Sequence, residues 1–84
     1  MTHEAIFEKI CDLVRTNFGV NEALHWDCQT KDIEGWDSFG TMRMVMDVES
    51  AFSVEIPIAA IPHLDSLGKI AEFVAAEIGE RKPQ

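Results

Sequence analysis

The residues of this chain best placed to do chemistry lie in Gly35-Trp36-Asp37-Ser38-Phe39-Gly40, followed by a methionine-rich helical stretch, Thr41 to Glu49. One serine, flanked by an aspartate, stands where an amphipathic helix should begin. A hydroxyl in that position can cap the helix, act as a nucleophile, or become the oxygen of a phosphodiester. The last product is an anion, and unpaired amides and the macrodipole at a helix N-terminus favour negative charge there. For an arbitrary serine before a helix, capping alone is the ordinary role.

Other candidate groups are weaker. Asp65-Ser66-Leu67 repeats the acid–serine pair, but so close to the C-terminus that it reads as the cap of a last helix. A serine hydrolase is disfavoured because G-x-S-x-G is absent, and His3, His25 and His63 show no recognisable acid partner. His25-x-x-Cys28 has metal-like spacing but falls short of the full tetrahedral set that structural zinc needs. Cys11 and Cys28 form neither a CxxC pair nor a dense framework and read as two reduced thiols.

The elements that must position Ser38 follow from periodicity. Ile6, Ile10, Leu13, Val14 and Phe18 recur at helical spacing, predicting a first helix from Thr2 or His3 to Asn17, with Gly19 just beyond it. Residues 20–36 lack sustained periodicity and read as a long loop with a short helical turn, pinned by Leu24, Trp26, Ile33 and Trp36. A second helix runs from Ser38 to Ala51 or Phe52, capped by Asp37 or Ser38. Its expected buried stripe is Phe39, Met42, Val45, Met46, Val48 and Phe52, with Met44 partly exposed. Met42, Met44 and Met46 could also offer a pliable lining for an apolar chain. Val54-Glu55-Ile56-Pro57 is extended, and Pro57 opens a short helix that Pro62 cuts off. Asp65 or Ser66 caps a last helix with Leu67, Ile70, Phe73, Val74 and Ile78 inward, ended by Gly79. The expected fold is all-α: three main helices and one short one in a single domain, residues 1–79, with 80–84 as a fraying tail.

Composition narrows the function. Of 84 residues, 46% are apolar and 26% charged, which suits a globular domain too small for more than one core. The formal charge of −8 comes from 15 acids against 7 bases, distributed along the whole chain. Without a basic stripe, nucleic acid is an unfavourable partner. No apolar run approaches the roughly 18 residues of a membrane span, and Met1-Thr2-His3-Glu4 lacks a basic leader, so a cytoplasmic location is expected. No large apolar seam is left over, so a monomer is expected.

Together these features resemble the acyl carrier protein family, from about Ile6 to Ile78. Phe18-Gly19-Val20 closes helix one, Asp37-Ser38-Phe39 opens helix two, and Val45-Met46 with Glu49 lies in its body. Phe52 and Glu55-Ile56-Pro57 then precede a capped last helix. The resemblance implies a four-helix bundle with 4'-phosphopantetheine attached to Ser38 by a phosphopantetheinyl transferase, Asp37 and Phe39 flanking the attachment. It implies cargo held as a thioester and no catalytic activity of the chain's own. Loading ligases and acyl-transfer enzymes would then be the partners, meeting Trp36, Gly40, Arg43, Met44, Asp47 and Ile58.

Some residues depart from the family pattern. Phe39 replaces the usual leucine, Gly40 and Arg43 stand where acids are common, and Ile58-Ala59-Ala60 replaces a commonly acidic turn, while Asp47 and Glu49 remain. Fewer acids weaken steering toward basic docking patches, and an apolar patch could take over. Trp-Asp-Ser resembles stand-alone carriers of specialised pathways, so a dedicated carrier is expected. An aminoacyl carrier stays open as an alternative, although the Gly-Gly-His-Ser type of motif common in peptidyl carriers is missing. So does an unmodified helical interaction module.

Overall fold

A computed structural model describes residues 2–80. Among them are three α-helices, α1 (His3–Phe18), α2 (Ser38–Phe52) and α3 (Leu67–Glu80), with 3₁₀ segments at Thr30–Asp32 and Ile58–His63 and no strand. This is the expected all-α bundle. The second 3₁₀ segment is the short fourth helix, and Thr30–Asp32 is the helical turn expected in the loop.

Each helix begins as its sequence directs. The Thr2 hydroxyl accepts from the Ala5 amide at 3.0 Å, and the Asp37 carboxylate from the Gly40 amide at 2.8 Å. The Ser66 hydroxyl accepts from the Lys69 amide at 3.2 Å. Such caps are typically worth about 0.5–2 kcal/mol each. α1 ends one residue later than expected, at Phe18, where Gly19 donates its amide to the Arg15 carbonyl.

α1 packs against both other helices. Ile6, Ile10 and Val14 from α1, Met44, Val48 and Phe52 from α2, and Leu67, Ile70, Ala71 and Val74 from α3 meet in one core. Ile33, Val54 and Ile56 join it from the connections. Phe73 and Ile78 are only partly buried against it.

The buried stripe of α2 differs from the expected one. Met44 is 2% exposed, whereas Phe39, Met42 and Met46 are 74%, 50% and 63% exposed. The inward line is Gly40, Met44, Val48 and Phe52, an i, i+4 series, with Val45 half-buried beside it. Hydrophobicity alone set the wrong phase. The smallest residue of the first turn faces Phe18 at the end of α1, where a Cβ would collide with the ring and with the Gly35 carbonyl, and the larger apolar residues are turned outward.

Two further boundaries differ. Pro62 does not end the short helix. Ala60 donates to the Pro57 carbonyl and Leu64 to the Ile61 carbonyl, so Pro62 sits one residue into a second turn, where its missing donor is not needed. α3 continues through Gly79 to Glu80, and residues 81–84 of the expected tail lie outside the described residues. The segment after α2 is extended and outside any strand, as expected.

The long loop is tied to the start of α3. Leu67 and Gly68 donate their amides to the carbonyls of Cys28 and Trp26 at 2.9 and 2.8 Å, and Thr30 donates to the Asp65 carbonyl at 3.0 Å. The Trp26 ring lies 5.4 Å from that of Phe7 and directly against Gly68. A Cβ at residue 68 would overlap the indole. Gly68→Ala should therefore lower stability by about 1–3 kcal/mol, read as a reduced urea midpoint at an unchanged slope.

Both cysteines are free thiols, Cys11 buried and Cys28 half-buried. Burial pushes the Cys11 thiol above its ordinary pKa. Since the thiolate is the reactive form, iodoacetamide at pH 8 should alkylate Cys28 first and Cys11 only on unfolding, as peptide mass analysis would resolve.

Candidate functional site

The turn that presents Ser38 rests on an aromatic ring. Phe18, the last residue of α1, stacks on Trp36 with centroids 4.9 Å apart and planes 21° from parallel. Gly35, at φ +92°, also lies close to the Phe18 ring. A Cβ on Gly40 would stand 2.6 Å from the Gly35 carbonyl oxygen and 2.7 Å from a Phe18 ring carbon, both too close. Residue 40 must therefore be glycine for α2 to start against this ring.

Hydrogen bonds fix the rest of the turn. Trp36 donates to the Ile33 carbonyl, Asp37 to the Gly35 carbonyl and Thr41 to the Asp37 carbonyl. The Asp37 carboxylate takes the Gly40 amide. The amides of Ser38 and Phe39 then have no acceptor among the described residues, and the Ser38 side chain is exposed between them and solvent. An exposed hydroxyl beside two unclaimed donors at a helix start suits an esterified phosphate, because the donors and the helix dipole face the new charge.

Ser66 provides the contrast. Its hydroxyl is engaged with Lys69, and the next two amides, Leu67 and Gly68, are already bonded to the loop carbonyls. Ser66 is also half-buried and pairs with Gln29 in an isolated antiparallel bridge. Its helix start is used for tertiary structure. The Asp65 carboxylate is held below its ordinary pKa by the Lys69 ammonium, 3.0 Å away.

The residues expected to meet partners fall into distinct groups. Arg43 and Ile58 are exposed, Ile58 to 84%. Trp36 is half-buried on Phe18. Asp47 is half-buried, and its Oδ2 accepts from Asn17 Nδ2 at 2.7 Å. Gly40 and Met44 are buried and cannot touch a partner, contrary to expectation: Gly40 faces Phe18, and Met44 fills the α1–α2 interface. The methionines exposed on α2 in their place are Met42 and Met46. Their signal was the phase of α2, which Gly40 sets. Phe18 was missed as the platform of the turn, since its helical spacing marks it only as core.

A cavity of about 200 Å³ lies between α2, the 3₁₀ segment at residues 58–63 and the start of α3. Met44, Val45, Val48, Ile56, Ile61 and Ile70 supply much of its apolar wall. Of the three methionines considered as an apolar lining, only Met44 belongs to it. Among the described residues no three His, Cys, Asp or Glu side chains are grouped to hold a metal ion.

Sequence comparison places the chain among known proteins. Residues 8–74 match the family model described as the phosphopantetheine attachment site. The chain is 31% identical over 80 residues to an acyl carrier protein of Prochlorococcus marinus (strain MIT 9515), covering 94% of this chain and all of that one. It is 33% identical over 79 residues to an acyl carrier protein of Lactobacillus johnsonii (strain CNCM I-12250 / La1 / NCC 533), covering 88% and 94% of the two chains. An acyl carrier protein of Guillardia theta is 29% identical over 79 residues, covering 93% and 98%. Matched over most of its length by an attachment-site model and end to end by named carriers, the chain belongs to the acyl carrier protein family and carries acyl groups on 4'-phosphopantetheine.

Proposed function

We propose that Ser38 Oγ is the attachment point, and that the chain is a dedicated, non-catalytic acyl carrier of a cytoplasmic pathway. The observation that supports the site most is the difference between two helix starts: Ser38 is exposed beside two unclaimed amides, whereas Ser66 is engaged and its neighbouring amides are bonded. The bound arm supplies a thiol that holds cargo as a thioester. The chain's own residues do the rest. Asp37 closes the first turn and leaves the Ser38 and Phe39 amides to face the phosphate, which they would stabilise by about 0.3–1 kcal/mol through the helix dipole. Phe18 and Gly40 fix the backbone turn from which the hydroxyl is offered to the phosphopantetheinyl transferase.

The cavity behind α2 favours an acyl cargo over an aminoacyl one. Its walls are mainly aliphatic, with hydroxyl and carboxylate groups only from Thr30, Thr41 and Asp65, and the Asp65 carboxylate is already paired with Lys69. At about 200 Å³ it exceeds the roughly 150 Å³ cavity that admits benzene, so it has room for a short hydrocarbon chain. Val48, fully buried in its wall, is where a larger side chain would fill it. The small remaining acidity of the outer α2 face supports a partner set other than enzymes with basic docking patches. Loading ligases and acyl-transfer enzymes would supply the chemistry.

Incubation with coenzyme A, magnesium and a broad-specificity transferase should add one phosphopantetheine to the intact mass. Trypsin should locate it on the peptide Asp32–Arg43, and Ser38→Ala should abolish it while Ser66→Ala does not. Modification of the peptide Met44–Lys69 would move the site to Ser66. Gly40→Ala should load about ten- to a hundredfold more slowly while remaining helical by circular dichroism, because a shift of about 1 Å at a reacting group has an effect of this order.

A further inference from the structure

The charges of α2 are disposed unequally. Its two acids face other parts of the chain: Asp47 Oδ2 accepts from Asn17 Nδ2 at 2.7 Å, and Glu49 Oε2 accepts from the Ile56 amide at 2.8 Å. Both residues are half-buried. The helix's single base, Arg43, is exposed and has no carboxylate partner among the described residues. Its guanidinium lies between two aromatic rings, 5.6 Å from the Phe18 centroid and 5.8 Å from that of Phe39. These contacts restrict a long side chain and keep its charge beside the Ser38 turn. Around it the outer face is apolar, made by Phe39, Met42 and Met46, with Ile58 exposed on the neighbouring segment.

From this arrangement we infer that the outer face of α2 docks on proteins whose complementary surface is apolar and carries a carboxylate opposite Arg43. The inference rests on Ser38 being the attachment point, since every enzyme serving the arm must approach that end of α2. A chain of net charge −8 thereby presents a single exposed cation on the outer face of α2. A partner with a Lys- or Arg-rich docking face is repelled at close range, although the molecule as a whole attracts it. Specificity arises from that like-charge contact as much as from the apolar fit.

The test uses one phosphopantetheinyl transferase with a basic docking face, together with a version in which those basic residues are changed to Glu. Loading rates are read from intact mass for wild type, Arg43→Gln and Arg43→Glu, with circular dichroism confirming that each is folded. The basic transferase should load Arg43→Glu about three- to tenfold faster than wild type, with Arg43→Gln between them. The acidic version should reverse that order. Both differences should shrink at 0.5 M salt, where screening extends over only a few ångströms. Rates indifferent to the charge at residue 43 would overturn the inference and leave the Ser38 assignment standing. No added mass in any combination would remove the assignment and the inference with it. A dimer in sedimentation that Arg43→Glu dissolves would give this face to a second copy of the chain and equally overturn it.

Discussion

The site depends on the space occupied by one ring. Phe18 ends α1 with its aromatic face against Trp36, Gly35 and Gly40, and the Arg43 guanidinium covers it from above. Because the ring is fixed in the packing of α1, whatever rests on it is fixed too. Gly40 is the residue that makes the contact possible. Without a side chain there, α2 can approach the ring closely, and that approach determines which residues of α2 point inward. The burial of Met44 and the exposure of Met42 and Met46 follow from a glycine one turn earlier.

The two helix starts show how the same local chemistry is put to different ends. Asp37 and Ser66 each accept an amide in the first turn of a helix. At α3, the loop carbonyls of Trp26 and Cys28 take two further amides, so the helix start becomes a tertiary joint. At α2 nothing does so, and the donors remain turned to solvent. A bundle this small has few ways to anchor a long loop, and using one helix N-terminus as the anchor leaves the other open. The core is formed by apolar side chains of the three α-helices and their connections and does not include Ser38.

Electrostatics on α2 are likewise set by tertiary contacts. Asp47 and Glu49 would be a docking signal if they faced outward. Here one holds Asn17 at the end of α1 and the other holds the amide of Ile56 in the connection after α2. Each carboxylate thus fixes the position of α2 against a neighbouring segment. The consequence is an outer face governed by apolar side chains and one guanidinium, on a molecule whose net charge is −8.

The sequence by itself determined the helices and their caps, and it singled out Ser38 as the candidate serine. Those depend on local relations: apolar residues three and four apart, Thr2, Asp37 and Ser66 placed to accept amides, and Pro57 ending the extended segment. The order of Asp37-Ser38-Phe39 and Glu55-Ile56-Pro57 was enough to suggest the family. Only the tertiary structure decided the phase of α2, the continuation of a 3₁₀ segment across Pro62 and the inward use of Asp47 and Glu49. Each of these is a choice among conformations of nearly equal local energy. Hydrophobicity cannot distinguish Met42 from Met44, and nothing near Gly40 in the chain reveals that Phe18 will lie beneath it. Contacts between residues far apart in sequence settle such choices, and they exist only once the helices have packed.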